Sequence, residues 1–267
     1  MECTYVGRRS AKCNVGRVDT VGSRTSNYRE HVHTLRVGAA FPDPPFNGSS
    51  SGGSDIDLMT EIAKALDMGV EFIRYEGADF NGIFDALNSG TFDCVTSGTT
   101  VTPERERKAA FCAPYLISGQ SLAVDTTRLP NVTSIDDLDG LTIGVQRGNT
   151  SQPIADDLVR QGRAERVRIY DYTSIRSALT DLTTGGCDVF MKLAPVLTEL
   201  VRPVAGVEVV QTGISVEDIA IAVPLANQSL LSRISVAQTE LEDNGSLPRI
   251  RQAWLGNPEA DQSSAVH

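Results

Sequence analysis

The chain has 267 residues, 40% hydrophobic and 22% charged; this is too long for one small core and ordinary for a globular protein of one large or two medium domains. A formal net charge of −10 and a pI of about 4.8 disfavour nucleic acid and anionic membrane as partners, since no basic stripe is present to neutralise phosphates. No run of about 18 apolar residues occurs, so no transmembrane helix is expected.

Residues 1–33 are polar, carry Arg8-Arg9, Lys12, Arg17, Arg24 and Arg29, and lack an apolar core segment. They read as a disordered or loosely held arm and not as a secretory signal; an export signal is expected to lie outside this chain, unless the protein stays inside the cell. Thr34–Ala40 reads as the first strand, followed by the Pro-rich Phe41–Phe46 and a flexible Ser/Gly loop over Asn47–Gly53. Ile56, Met59, Ile62, Ala63 and Leu66 fall on one face of a helix over Ser54–Asp67, with Ser54 or Asp55 as its cap. Val70–Tyr75 is a strand and Asn81–Asn88 a helix.

The most informative stretch is Phe92–Arg105. A strand over Phe92–Ser97 runs into Ser97-Gly98-Thr99-Thr100, small residues that admit a ligand close to the backbone. Thr102 then suits an N-cap and Pro103 the first helical position. A strand end that gathers free N–H groups, the Thr100 hydroxyl and the Arg105 fork makes a small anion site. The alternative is a Ser/Thr loop that caps a helix, with Arg105 in solvent.

Tyr115–Val124 reads as one long strand and Ser134–Gly140 as a capped turn. The strand Leu141–Val145, the polar loop Gln146–Ser151 and the helix Ser151–Gln161 repeat the strand–loop–helix logic, so their N–H groups can meet the same anion from the other side. Further strands are expected at Arg166–Tyr170, Cys187–Met191, Val207–Thr212 and Ile219–Val223. Helices are expected at Ser174–Thr183, Ala194–Val201, Asn227–Glu242 and Leu247–Leu255, the last with Trp254 as a packing anchor. This alternation predicts an α/β fold with parallel-rich sheets covered on both faces.

The five cysteines are Cys3, Cys13, Cys94, Cys112 and Cys187, an odd number with no CxxC; neither a disulfide framework nor a zinc site is indicated. Cys94 and Cys187 read as small buried apolar residues, and a Cys94–Cys112 bridge has no sequence support. The only histidines are His31, His33 and His267, so a His-activated nucleophile in the body is not expected. The pairs Asp55/Asp57 and Asp136/Asp137 read as helix-start residues. No metal spacing or cofactor motif is present, and no cofactor is expected.

Ser97-Gly98-Thr99-Thr100-Val101-Thr102-Pro103-Glu104-Arg105, then Phe111-Cys112-Ala113-Pro114-Tyr115 and Ser118-Gly119-Gln120, resemble the signature of the family 3 extracytoplasmic solute-binding proteins, the amino-acid receptors of ABC transporters. In that family the run is A-G-(x)-T-(I/V)-T-P-E-R, followed by F-(x)-(x)-P-Y and S-G-Q. The likeness extends over roughly Leu35 to Gly256. It implies a two-lobe periplasmic-binding-protein-like fold with two hinge-crossing strands. Residues 34–122 and 219–256 would form lobe 1, residues 123–218 lobe 2 and residues 257–267 a tail. It also implies an extracytoplasmic monomer with an ABC permease partner and a small carboxylate or amino-acid ligand.

Carried over by position, Arg105 would hold the ligand α-carboxylate, Thr100 and Thr150 would give N–H or hydroxyl bonds, and the Gly98 carbonyl would accept from the amine. Phe80, in Asp79-Phe80-Asn81-Gly82-Ile83, is either a wall over the ligand or a core residue. The chain departs from the pattern at Leu193 and Ala40, where the family often has the acids that bind the α-ammonium, while Lys192 adds a cation. The resemblance so modified implies a preference for a carboxylate ligand, one with a second acidic group, over a standard amino acid. The alternative puts Lys192 in solvent and lets Asp43 or Asp55 serve the ammonium. Other readings are a cyclohexadienyl-dehydratase-like enzyme on the same fold and a detached ligand-sensing domain.

Overall fold

The structure is a computed structural model that describes residues 33–48 and 52–256. All but the last residue of the arm expected over 1–33, with Cys3, Cys13 and His31, the middle of the Ser/Gly loop and the tail with His267 lie outside the described residues.

The first half of the chain runs β1 (Thr34–Ala40), α1 (Ser54–Ala65), β2 (Gly69–Tyr75), α2 (Gly82–Asn88), β3 (Cys94–Val95), α3 (Pro103–Glu106), β4 (Ala109–Phe111), β5 (Leu116–Ser118) and β6 (Gln120–Asp125). The second half continues with β7 (Thr142–Gln146), α4 (Ser151–Arg160), β8 (Arg166–Tyr170), α5 (Ile175–Thr184), β9 (Val189–Leu193), α6 (Ala194–Val201), β10 (Val207–Gln211), β11 (Glu217–Ile219), β12 (Ala222–Pro224), α7 (Gln228–Asp243) and α8 (Ser246–Leu255).

These elements form two five-stranded sheets and a two-stranded ladder. The first sheet has the order β2-β1-β3-β12-β4, with β1 parallel to both neighbours and β12 antiparallel to its own. Side-chain alternation covers both faces: Leu35, Val37, Ile221 and Val223 pack with Leu58, Ile62, Ile234 and Leu247 of α1, α7 and α8. Ala40, Val95 and Ala222 pack instead with Ile83, Phe84 and Leu87 of α2. The second sheet has the order β10-β6-β9-β7-β8. Leu122, Val124 and Met191 face Ala155 and Leu158 of α4, while Ala123 and Phe190 face Ala178, Leu182 and Leu197 of α5 and α6.

The expected long strand over 115–124 is two strands. β5 pairs with β11, whereas β6 joins the second sheet through Gln120 opposite Leu193. Gly119 is where they part, and a Cβ there would lie 1.9 Å from the Ser215 carbonyl oxygen. Only a residue without a side chain fits where the crossing segments approach so closely. The expected lobe boundary at 122 therefore falls inside β6. The expected strand over 92–97 contracts to Cys94–Val95, because Ser97 turns its hydroxyl to the Ala40 N–H. β4 has no counterpart in the sequence reading; it is an edge strand of three residues, too short for a period to register.

α1 also starts differently. Its N-cap is Gly53, without a side-chain cap, and Asp55 is fully buried. Trp254 is half-exposed, held by a 2.7 Å bond from Nε1 to Asp57 Oδ2 and not by core packing. Cys94, Cys112 and Cys187 are free thiols, all buried.

Candidate ligand-binding site

The site is built from the start of α3 outward. The Thr102 hydroxyl accepts the Arg105 N–H at 3.2 Å and Pro103 opens the helix, so the local rule that the sequence predicts is the one that forms. This short helix turns the Arg105 side chain inward, where it is 4% exposed. Its guanidinium lies 5.1 Å from the Phe80 ring centre and 5.5 Å from that of Phe84. Nε donates to Asn81 Oδ1 at 3.1 Å, Nη1 to the Thr100 carbonyl at 2.9 Å and Nη2 to the Gly148 carbonyl at 3.0 Å.

These three acceptors are neutral, and Arg105 pairs with no carboxylate among the described residues. A guanidinium has five N–H donors, so two remain, one on each Nη. They form the fork that a carboxylate bridges. Burial pulls the Arg105 pKa down to about 10, opposed mainly by the charge of Glu217, and the group is fully cationic at neutral pH. The reading of Arg105 as a solvated residue is thereby excluded.

Gly148 belongs to the loop that follows β7, so the Arg105 contact joins the two sheets' lobes. The approach is close: a Cβ at Gly148 would lie 2.0 Å from Asp79 Oδ1 and 2.9 Å from the Phe80 nitrogen. Phe80 N–H donates to the Arg147 carbonyl and Tyr172 N–H to the Ala78 carbonyl. The Phe80 and Tyr172 rings meet at 5.2 Å. Phe80 is buried in the α2 core and also lines the cavity beside Arg105.

Between the lobes lies a cavity of about 30 Å³ lined by Arg105, Phe80, Gly98, Thr100, Gln120, Thr150, Lys192 and their neighbours. All six residues expected from the sequence reach it. A water occupies roughly 10–15 Å³ by the same measure, so this cavity is smaller than any amino acid. A larger groove of about 410 Å³ runs between β5 and α6 past Ile117, Pro195, Val216 and Trp254. It is largely apolar, its Glu199–Arg202 pair is mutually engaged, and it holds none of the cleft residues.

Lys192 is 3% exposed and does not point to solvent. Its Nζ donates to Gln146 Oε1 at 2.8 Å and lies 3.4 Å from Asp43 Oδ1 and 5.4 Å from the Tyr172 ring centre. Burial raises the Asp43 pKa, with the Lys192 charge and the Tyr172 hydroxyl opposing it. The cation is therefore committed to an acid from the other lobe. Asp55 stands elsewhere: it accepts from the Gly98 N–H at 2.8 Å and from the Tyr115 hydroxyl at 2.7 Å. It stands in the first turn of α1, as expected of a helix-start residue, and is also a buried brace under the Gly98 turn.

The Thr100 and Thr150 hydroxyls also have a different task from the expected one. Both donate to Glu217 Oε2, at 2.6 and 2.8 Å. Glu217, like Gln120, Tyr172 and Asn81, was not a candidate from sequence. Gln120 stood in the quoted Ser118-Gly119-Gln120 run, which was the one available signal for it. Glu217 sits in Val216-Glu217-Asp218, which reads as an ordinary acidic turn.

The profile of the bacterial extracellular solute-binding proteins, family 3, matches residues 35–257. The chain belongs to this family. A probable amino-acid-binding protein, YxeM, of Bacillus subtilis (strain 168) is 25% identical, with 88% of each chain covered. An ancestral arginine-binding protein, solved with arginine bound, is 35% identical, with 84% of this chain and 98% of that one covered at a TM-score of 0.75. An ancestral amino acid-binding protein described as a precursor of cyclohexadienyl dehydratase is 29% identical, with 83% and 94% covered at a TM-score of 0.73. The α/β two-lobe fold is common to this family 3 solute-binding protein and to these structures, and the receptor reading, not the enzyme one, is what the family describes.

Proposed function

We propose that this family 3 protein is the extracytoplasmic receptor of an ABC importer and binds one small amino acid or related organic acid, its carboxylate on the free fork of Arg105. The observation that carries the reading is the buried guanidinium with two uncommitted N–H donors in a cavity between lobes. A buried cation is unfavourable without an anion, and a ligand carboxylate supplies one. Phe80 and Leu193 give apolar walls, and Gly98 and Thr150 flank the fork.

The cavity is too small for such a ligand, so the lobes separate to admit it and close over it. The hinge is the β5–β11 ladder, with 34–118 and 220–256 moving against 120–216. The chain acts alone, without cofactor or nucleic acid, and passes its solute to a permease. The second acidic group that the sequence reading gave the ligand has little support: the Lys192 charge that would receive it is held by Asp43.

The reading is tested by thermal shift and calorimetry with the twenty L-amino acids, succinate and glutarate. A bound ligand raises the apparent stability by RT ln(1 + [L]/Kd), about 2.7 kcal/mol at a hundredfold excess over Kd. Absence of any shift refutes the receptor reading. Release of aromatic product from prephenate or arogenate would replace it with the dehydratase reading.

A further inference from the structure

The cleft has lost the acids expected at Ala40 and Leu193, yet a carboxylate stands directly behind it. Glu217 is 6% exposed and accepts four hydrogen bonds. Oε2 takes the Thr100 and Thr150 hydroxyls at 2.6 and 2.8 Å; Oε1 takes Gln120 Nε2 at 2.9 Å and the Ser215 hydroxyl at 2.8 Å. These donors come from both lobes and from the hinge.

The proton positions follow from the chemistry. A carboxylate only accepts, and a hydroxyl has one proton, so both threonine protons are committed to Glu217. The threonine oxygens are left to act as acceptors. Thr150 Oγ1 already accepts from Gln120 Nε2 at 3.0 Å, whereas no such donor reaches Thr100 Oγ1 among the described residues. Gln120 Nε2 uses both its hydrogens, on Thr150 and Glu217, so the amide cannot flip without facing an oxygen with an oxygen. Its Oε1 is left without a partner on a residue that is 1% exposed and lines the cavity.

We propose that Glu217 is the counter-charge of the ligand's amine, acting through Thr100 Oγ1 and Gln120 Oε1, and so determines that this receptor selects an α-amino acid over a simple carboxylate. The inference rests on the receptor reading above. Thr100 is the right neighbour for this, because Arg105 Nη1 donates to its carbonyl, and an α-ammonium must sit within about 3 Å of the carboxylate on the same carbon. Glu217 is the carboxylate that acts most strongly on Arg105. Asp43 is already paired with Lys192, 3.4 Å away. The corner at Glu217 thus offers acceptors and, among the described residues, no cation paired with Glu217, a match for an ammonium group.

The test takes the tightest binder among the twenty L-amino acids and compares it, by calorimetry, with the same acid lacking its α-amine. Glu217→Gln and, separately, Gln120→Met weaken the amino acid about tenfold or more and change the deaminated acid less than about twofold. An equal loss for both ligands overturns the proposal, because Glu217 would then only be holding the lobes in place. So does wild-type protein that binds the deaminated acid as tightly, or that binds only succinate or glutarate; in these cases the receptor reading stands. If no amino acid or carboxylate binds at all, the receptor reading falls as well.

Discussion

Arg105→Met separates the binding role of the guanidinium from its structural one. Methionine keeps the apolar stem beside Phe80 and Phe84 but removes the charge and every N–H. In the ligand-free protein three acceptors lose a partner: the Thr100 and Gly148 carbonyls and Asn81 Oδ1. That costs about 1–3 kcal/mol for the buried ones. Removing an unpaired buried cation offsets much of it, so the net change in unfolding free energy is about 1 kcal/mol in either direction. Binding has no such offset. The ligand carboxylate would enter a buried site with its partner gone, at a cost of about 2–5 kcal/mol, or about 30-fold to 5,000-fold in Kd. Arg105→Lys keeps a charge but not the fork and falls between the two. Calorimetry gives Kd, and a urea titration of the free protein gives stability. Because the Arg105 guanidinium keeps its charge through the neutral range, the affinity for a carboxylate should stay level there. A Met variant that binds the tightest ligand within twofold of wild type would sink the carboxylate assignment.

Other expectations follow from the same structure. Burial pushes the Asp55 carboxyl up to about 7 in the folded protein, from an ordinary value of 3.8. A raised acid favours the folded state while it keeps its proton, so this contribution is complete below pH 3.8 and is lost as pH rises through about 7. The difference in unfolding free energy between wild type and Asp55→Asn, from urea titrations, should change across that window by up to about 4 kcal/mol; a pH-independent difference would contradict it. Gly119→Val places carbon against the Ser215 carbonyl and lowers stability by about 1–3 kcal/mol, read as a lower melting temperature. Thr102→Ala removes the cap on α3, costs about 1 kcal/mol and loosens the turn that aims Arg105, so ligand affinity should fall along with the melting temperature.

What the sequence alone determined about this protein is local. β1, β8 and α6 appear with the boundaries that periodicity and propensity set, and Thr102-Pro103 starts its helix as a capped start should. Each depends on residues a few positions apart, which is the range over which side-chain spacing carries information. The signature around Arg105 also fixed the family, because close approach, cap and fork occupy one continuous run. Tertiary structure decided which charges meet. Glu217 reaches Thr100 across 117 positions and Gln120 across 97, and Lys192 finds Asp43 from the other lobe. Asp55 and Asp57 are both first-turn acids of α1, yet one is buried under Gly98 and the other bonds Trp254 at the surface. Hydrophobic patterning says which side of an element is covered, but a polar group is placed by the single donor or acceptor that satisfies it. That partner is known only once the chain has crossed its hinge and returned.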